Sequence, residues 1–167
     1  MNTSLVITLM CDDRPGIIQQ LSNIVAHENG VWGHSHFANL GGKFTGIVEV
    51  SVPAANRSKL ANELNALNHD GMNITIESTD TKSSTETHIA FTLTANDRSG
   101  IIREISKSLA DHNFSIESIQ SKTESGSMAG IPLFKAELTV TSSEGKRLDE
   151  LRLSLENVSD DIFVDFS

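Results

Sequence analysis

The stretch Asp13-Arg14-Pro15-Gly16-Ile17-Ile18 returns later in the chain as Asp97-Arg98-Ser99-Gly100-Ile101-Ile102. The offset is 97 − 13 = 84 residues, and at that offset Leu5–Trp32 and Ile89–Ile116 align without a gap, with ten of 28 positions identical. Two copies at so long a period imply two similar domains, since a solenoid needs more and shorter repeats. Working outward, each copy follows a short apolar, β-prone run, Leu5–Met10 in the first half and His88–Thr94 in the second. Each precedes a helix: Ile18, Leu21 and Val25 make an apolar stripe, and Ile102, Ile105 and Leu109 repeat it. Asp13 is placed to cap the first helix, Pro15 is tolerated in a first turn, and Asn29-Gly30 marks the helix end.

The same alternation carries the rest of each half. Val31–Ala38 and Phe44–Val52 read as strands joined at Gly41-Gly42, with Pro53 as a stop. A second helix spans 56–67, with Leu60, Leu64 and Leu67 on one face, and Met72–Glu77 is a closing strand. Glu77–Thr87, rich in Ser and Thr, is the linker. The second half repeats the order, with strands at Ser115–Lys122 and Leu133–Thr141, a helix marked by Leu148, Leu151 and Leu155, and a strand at Ile162–Phe166. The order β-α-β-β-α-β is the ferredoxin-like arrangement. The fold class is therefore α+β, with two such domains at 1–80 and 85–167. Each has a thin core, so the two are expected to pack side by side, their strands forming one extended sheet. The turn over 123–132 is longer than its counterpart, as a tolerated insertion or as a partner-binding loop.

Composition limits the function. A formal charge of −9, a pI of about 5.0 and the lack of a basic run disfavour direct nucleic-acid binding. Cys11 is the one cysteine, which fits a reducing compartment. No signal-peptide pattern or membrane-length apolar run is present, and the expectation is a soluble cytoplasmic protein without membrane contact. His34 and His36 alternate on a strand, but no third metal ligand is evident. No nucleophile–base relation and no acid–base carboxylate pair can be placed, so no catalytic residue, metal or cofactor is expected. Trp32 aligns with Ile116 and reads as a core or interface residue. Arg14 and Arg98 follow the acid in both copies, as surface ion-pair partners or as ligand contacts.

At the repeated motif, a helix N-terminus offers free amides and the positive end of the helix dipole. Gly16 and Gly100 permit close backbone approach, and such a turn can hold a carboxylate. Asp13 or Asp97 beside it could accept an ammonium, a combination suited to a zwitterion. The plainer alternative is that the acid caps the helix and the glycine makes the turn.

A strand, the D-R-P-G-I-I turn and an amphipathic helix in a β-α-β-β-α-β unit resemble an ACT domain, and the resemblance covers both halves. It implies a ligand site formed by Asp13, Gly16, Ile17 and Ile18, and by Asp97, Gly100, Ile101 and Ile102. Many amino-acid-binding ACT domains carry Asn at the start of the second strand. Here Val31 and Ser115 stand there, so Ser115 is included as a ligand contact and the second site is expected to bind more tightly. Two ACT domains in tandem most resemble the glycine cleavage system transcriptional repressor family. That resemblance implies a repressor that senses a small amino acid, glycine foremost, and acts by contact on a DNA-binding transcriptional activator, with a homodimer compatible. A regulatory subunit acting in trans on a metabolic enzyme is the alternative.

Overall fold

The structure, a computed structural model, describes residues 1–80, 85–126, 130–143, 145 and 148–166. It divides into two compact units, Met1–Lys82 and Ser83–Ser167. The first contains β1 (Asn2–Asp12), α1 (Ile17–His27), β2 (Val31–Leu40), β3 (Lys43–Pro53), α2 (Arg57–Ala66) and β4 (Asn73–Ser78). The second contains β5 (Thr87–Asn96), α3 (Ile101–Asp111), β6 (Ser115–Glu124), β7 (Leu133–Ser142), α4 (Leu148–Glu156) and β8 (Phe163–Asp165). Both are antiparallel β-α-β-β-α-β units, so the α+β, ferredoxin-like reading holds. The strand orders β2-β3-β1-β4 and β6-β7-β5-β8 are equivalent. Each sheet draws all four of its strands from one unit.

Alternation along the central strands makes the core. In β1, Leu5, Ile7, Leu9 and Cys11 are buried, and in β5 the same positions hold Ile89, Phe91, Leu93 and Ala95. Successive strand side chains point to opposite faces, so these residues meet the helices while their neighbours face away. The long β1 and β5 pair with a strand on each side, which explains why they carry so much of the buried surface. The two core clusters share no residue.

The helices correct the apolar stripe by one residue. Ile17, Leu21 and Val25 are buried, as are Ile101, Ile105 and Leu109. Ile18 and Ile102 stand out instead, 38% and 40% exposed. Both i, i+3, i+7 and i, i+4, i+8 describe one helix face, and the direction of the turn selects the second. The helix ends differ from expectation too. Asn29 (φ 57°) and Asn113 (φ 60°), identical in both copies, take the left-handed conformation. Gly30 is needed for space: a Cβ there would lie 2.8 Å from the Val25 side chain.

Two features of the middle strands recur in one unit or both. Leu40 pairs with Lys43 across Gly41 and Gly42, whose φ values of 61° and 78° make a two-residue hairpin of the primed type. A register shift lies between Trp32 and Ser35 in β2 and between Ile116 and Ser118 in β6, so the bulge is repeated as well. Trp32 belongs to a row of rings packed against the core, with centroids 5.9 Å from Phe37 and Phe37 5.6 Å from Phe44. In the second unit β6 continues to Glu124, and residues 127–129 of the longer turn lie outside the described residues. Leu148 is exposed, and Ser154 takes a buried place beside Leu151 and Leu155 on α4.

Candidate functional site at the duplicated turn

The turn from β1 into α1 is built around Gly16. Its φ of 86° is matched by 87° at Gly100, and both residues are the helix N-caps. An added Cβ would find no atom closer than 4.0 Å at Gly16 or 3.9 Å at Gly100. The glycines are thus required by left-handed backbone and not by crowding. Neither cap receives a side-chain hydrogen bond, which corrects the assignment of Asp13 as the capping residue. The first helical bonds are Gln20 N–H to Gly16 O at 2.9 Å and Glu104 N–H to Gly100 O at 3.1 Å. Amides preceding Gln20 and Glu104 have no acceptor within their helices. In the second unit the Ile101 N–H turns back to Arg98 O at 3.3 Å.

The acids are held by other elements. Asp13 N–H donates to Gly42 O at 3.0 Å, joining the turn to the β2–β3 hairpin. The Asn39 side-chain amide donates to the Asp13 carboxylate, and Lys43 pairs with Asp12. Hydrogen bonding to Lys43 and its charge hold the Asp12 carboxyl below the usual range, and the Lys43 ammonium is correspondingly raised. In the second unit Asp97 N–H donates to Pro132 O at 2.9 Å, so this turn too is tied to the connection between the two middle strands. Asp161 reaches across to accept the Asn96 N–H at 3.0 Å, and its carboxyl is lowered first by the Ser159 hydroxyl. Among the described residues, no hydrogen bond or ion pair engages the Asp97 side chain.

The two arginines have one job in two chemistries. Arg14 donates to Gln20 Oε1 at 2.8 Å, while Arg98 forms a fork with both Glu104 oxygens at 2.9 and 2.6 Å. Gln20 and Glu104 are aligned at the repeat offset, so each arginine braces the first turn of its own helix. The Arg98 bonds hold the Glu104 carboxyl low and raise Arg98.

Asp13, Gly16 and Ile18 therefore share one turn, as do Asp97, Gly100 and Ile102, with Ile17 and Ile101 beneath them in the core. Ser115 is not part of this arrangement. It pairs with Thr141, which pairs in turn with His88. His88 lies 97 − 88 = 9 residues before Asp97 on β5. At about 3.3 Å per residue, Ser115 is about 30 Å along the sheet from the turn of its own unit. The sequence alignment placed Ser115 correctly opposite Val31, but strand direction carries both away from the motif. Asn39, Lys43 and Asp161 were missed, because they come from distant elements. The matched pairs Arg14/Arg98 and Gln20/Glu104 were visible at the repeat offset.

A concave surface of the first unit lies away from this turn. A shallow cavity of about 470 Å³ is lined by Val6, His34, His36, Ile47 and Glu49, on the sheet face away from the helices. His34 Nδ1 is 3.7 Å from a Glu49 carboxylate oxygen. Cys11 is buried against the core, and burial pushes its thiol pKa up, the opposite of an activated nucleophile.

Comparison with known proteins bears on the fold. Residues 3–77 match the family model of the ACT domain. A crystal structure of an unknown protein from Galdieria sulphuraria superposes with a TM-score of 0.85 at 22% identity, covering 100% of this chain and 98% of that one. A second, of a candidate glycine cleavage system transcriptional repressor, gives 0.70 at 18% identity, covering 100% and 97%. No curated protein matches the sequence. At these identities the structural likeness is one of fold, and it extends over both units. The first unit matches the ACT domain over residues 3–77, and the second repeats its ferredoxin-like fold element for element.

Proposed function

We propose that this chain is an amino-acid-sensing regulatory protein that controls a transcriptional activator of glycine cleavage genes by protein contact. The observation that carries the reading is the duplicated turn: the same left-handed glycine, open helix N-terminus and exposed isoleucine occur in both units. The ligand carboxylate is received by the amides at the helix start, where the dipole favours an anion. The ammonium meets Asp13 or Asp97, and the exposed Ile18 or Ile102 limits the side chain. The fold shared with a candidate glycine cleavage repressor supports glycine as the first amino acid to test. The acidic charge supports action through a protein and not through direct DNA contact. Asp97 is the better ammonium acceptor, because Asp13 already accepts from Asn39.

Calorimetry of the full chain against the twenty amino acids tests the sensing. We expect a small amino acid to bind, and Asp97→Asn to weaken it more than Asp13→Asn does. A hydrogen bond to a charged group is worth about 1.5–3 kcal/mol, or about 10- to 150-fold in affinity. If none of the twenty binds at millimolar concentration, the sensing reading fails. Affinity capture from the native cell then identifies the target, and recovery of a metabolic enzyme in place of a DNA-binding protein would favour a trans-acting regulatory subunit.

A further inference from the structure

We propose that His27, Glu28 and Glu63 form a binding site for a divalent transition-metal ion of the zinc class, where α1 ends against α2. His27 Nδ1 lies 3.4 Å from Glu28 Oε1 and 3.4 Å from Glu63 Oε1. One ring nitrogen can donate only one hydrogen bond, and both separations exceed the usual N–H···O range. They match instead the edge of a metal tetrahedron: ligands about 2.1 Å from a zinc ion stand about 3.4 Å from one another. All three ligand atoms lie within 4.8 Å of each other.

Burial supports the same conclusion. The Glu28 side chain is only 8% exposed, and among the described residues its carboxylate accepts no hydrogen bond. The backbone of Glu28 is fixed by its N–H to Ile24 O at 3.3 Å and by the Asn56 side-chain amide on its carbonyl at 3.0 Å. His27 and Glu63 are 73% and 38% exposed, which leaves an entry path and a fourth position for water. The carbonyl end of α1 adds negative potential. One imidazole and two carboxylates select zinc-class ions over magnesium, which prefers oxygen and its own waters.

The second unit serves as an internal comparison. Leu151 and Leu155 correspond to Leu60 and Leu64, so Ser154 stands where Glu63 does. Asp111 is paired with Lys107 at 2.5 Å, and His112 Nδ1 lies 2.7 Å from Ser108 O. Those partners occupy the groups that the first unit leaves converging.

The test is calorimetric titration of the full metal-free chain with Zn²⁺, with Co²⁺ absorption as a report of tetrahedral geometry. We expect one strong equivalent, a raised unfolding temperature, and no competition from equimolar Mg²⁺. Glu63→Gln should weaken binding by more than about 100-fold, beyond the roughly 10- to 100-fold that an outer-shell partner costs. His27→Ala, at the most exposed of the three ligands, provides the same readout if Glu63→Gln disturbs folding. His34→Ala/His36→Ala should bind as the wild type does. Failure to bind micromolar Zn²⁺, full retention in Glu63→Gln and His27→Ala, or loss in the His34/His36 variant would each overturn the assignment.

Discussion

Ser99 occupies the place that Pro15 holds in the first turn, one residue before a glycine whose φ differs by a single degree between the copies. The backbone there has already accepted proline once, and no hydrogen bond from the Ser99 amide appears among the described backbone bonds. Ser99→Pro should therefore stabilise the second unit by about 0.4–1 kcal/mol, by restricting the unfolded chain. Thermal unfolding measures this, and a lowered midpoint would show that the two turns differ ahead of the glycine. The sequence made the glycines and the acids legible, since both are repeated. It did not show that Asn39 claims the Asp13 carboxylate, because a partner 26 residues away on another strand leaves no local trace.

Among the elements, the β6–β7 connection differs most from its counterpart, and Glu124 secures its base. Lys122 and Lys135 approach the Glu124 oxygens at 2.5 and 2.7 Å. Hydrogen bonds from Lys122 first, then Lys135, lower its carboxyl to about 2 from 4.5. A carboxyl depressed on folding stabilises the protein above its unfolded pKa, and that contribution is lost as pH falls through the folded value. The loss should thus occur between pH 4.5 and about 2. Glu124→Gln should remove this part of the acid sensitivity and lower stability near neutral pH by the same amount, a modest one because the group is at the surface. Unfolding followed across that window decides it, and a variant as acid-labile as the wild type would contradict the role. Element order and type could be read from periodicity. The one-residue offset of the helix stripe could not, because both spacings satisfy a 3.6-residue period and only the approach angle of the turn distinguishes them. The matched bulges at Trp32 and Ile116 were equally hidden, since an extra residue alters register without altering composition.

In the whole molecule, the two cores are built from separate residues, so damage to one should remain there. Leu64, fully buried in the first core, should cost about 2–5 kcal/mol when changed to Ala. Hydrogen exchange should then show lost protection in β1 to β4 while amides of β5 and β7 stay protected. Uniform loss through both units would show that they unfold as one. The duplication itself was legible from ten identities, but the completeness of each sheet was not, since an open edge and a continuous sheet call for the same strands. That completeness bears on how the chain is made. Strands of the same pattern and order on one polypeptide invite pairing with the wrong copy, a recognised hazard of repeated domains. Here β4 ends at Ser78, and 165 − 78 = 87 further residues must be added before β8 is finished. At about 5–20 residues per second, the ribosome gives the first sheet roughly 4–17 s in which to close before its twin can compete for the same partners.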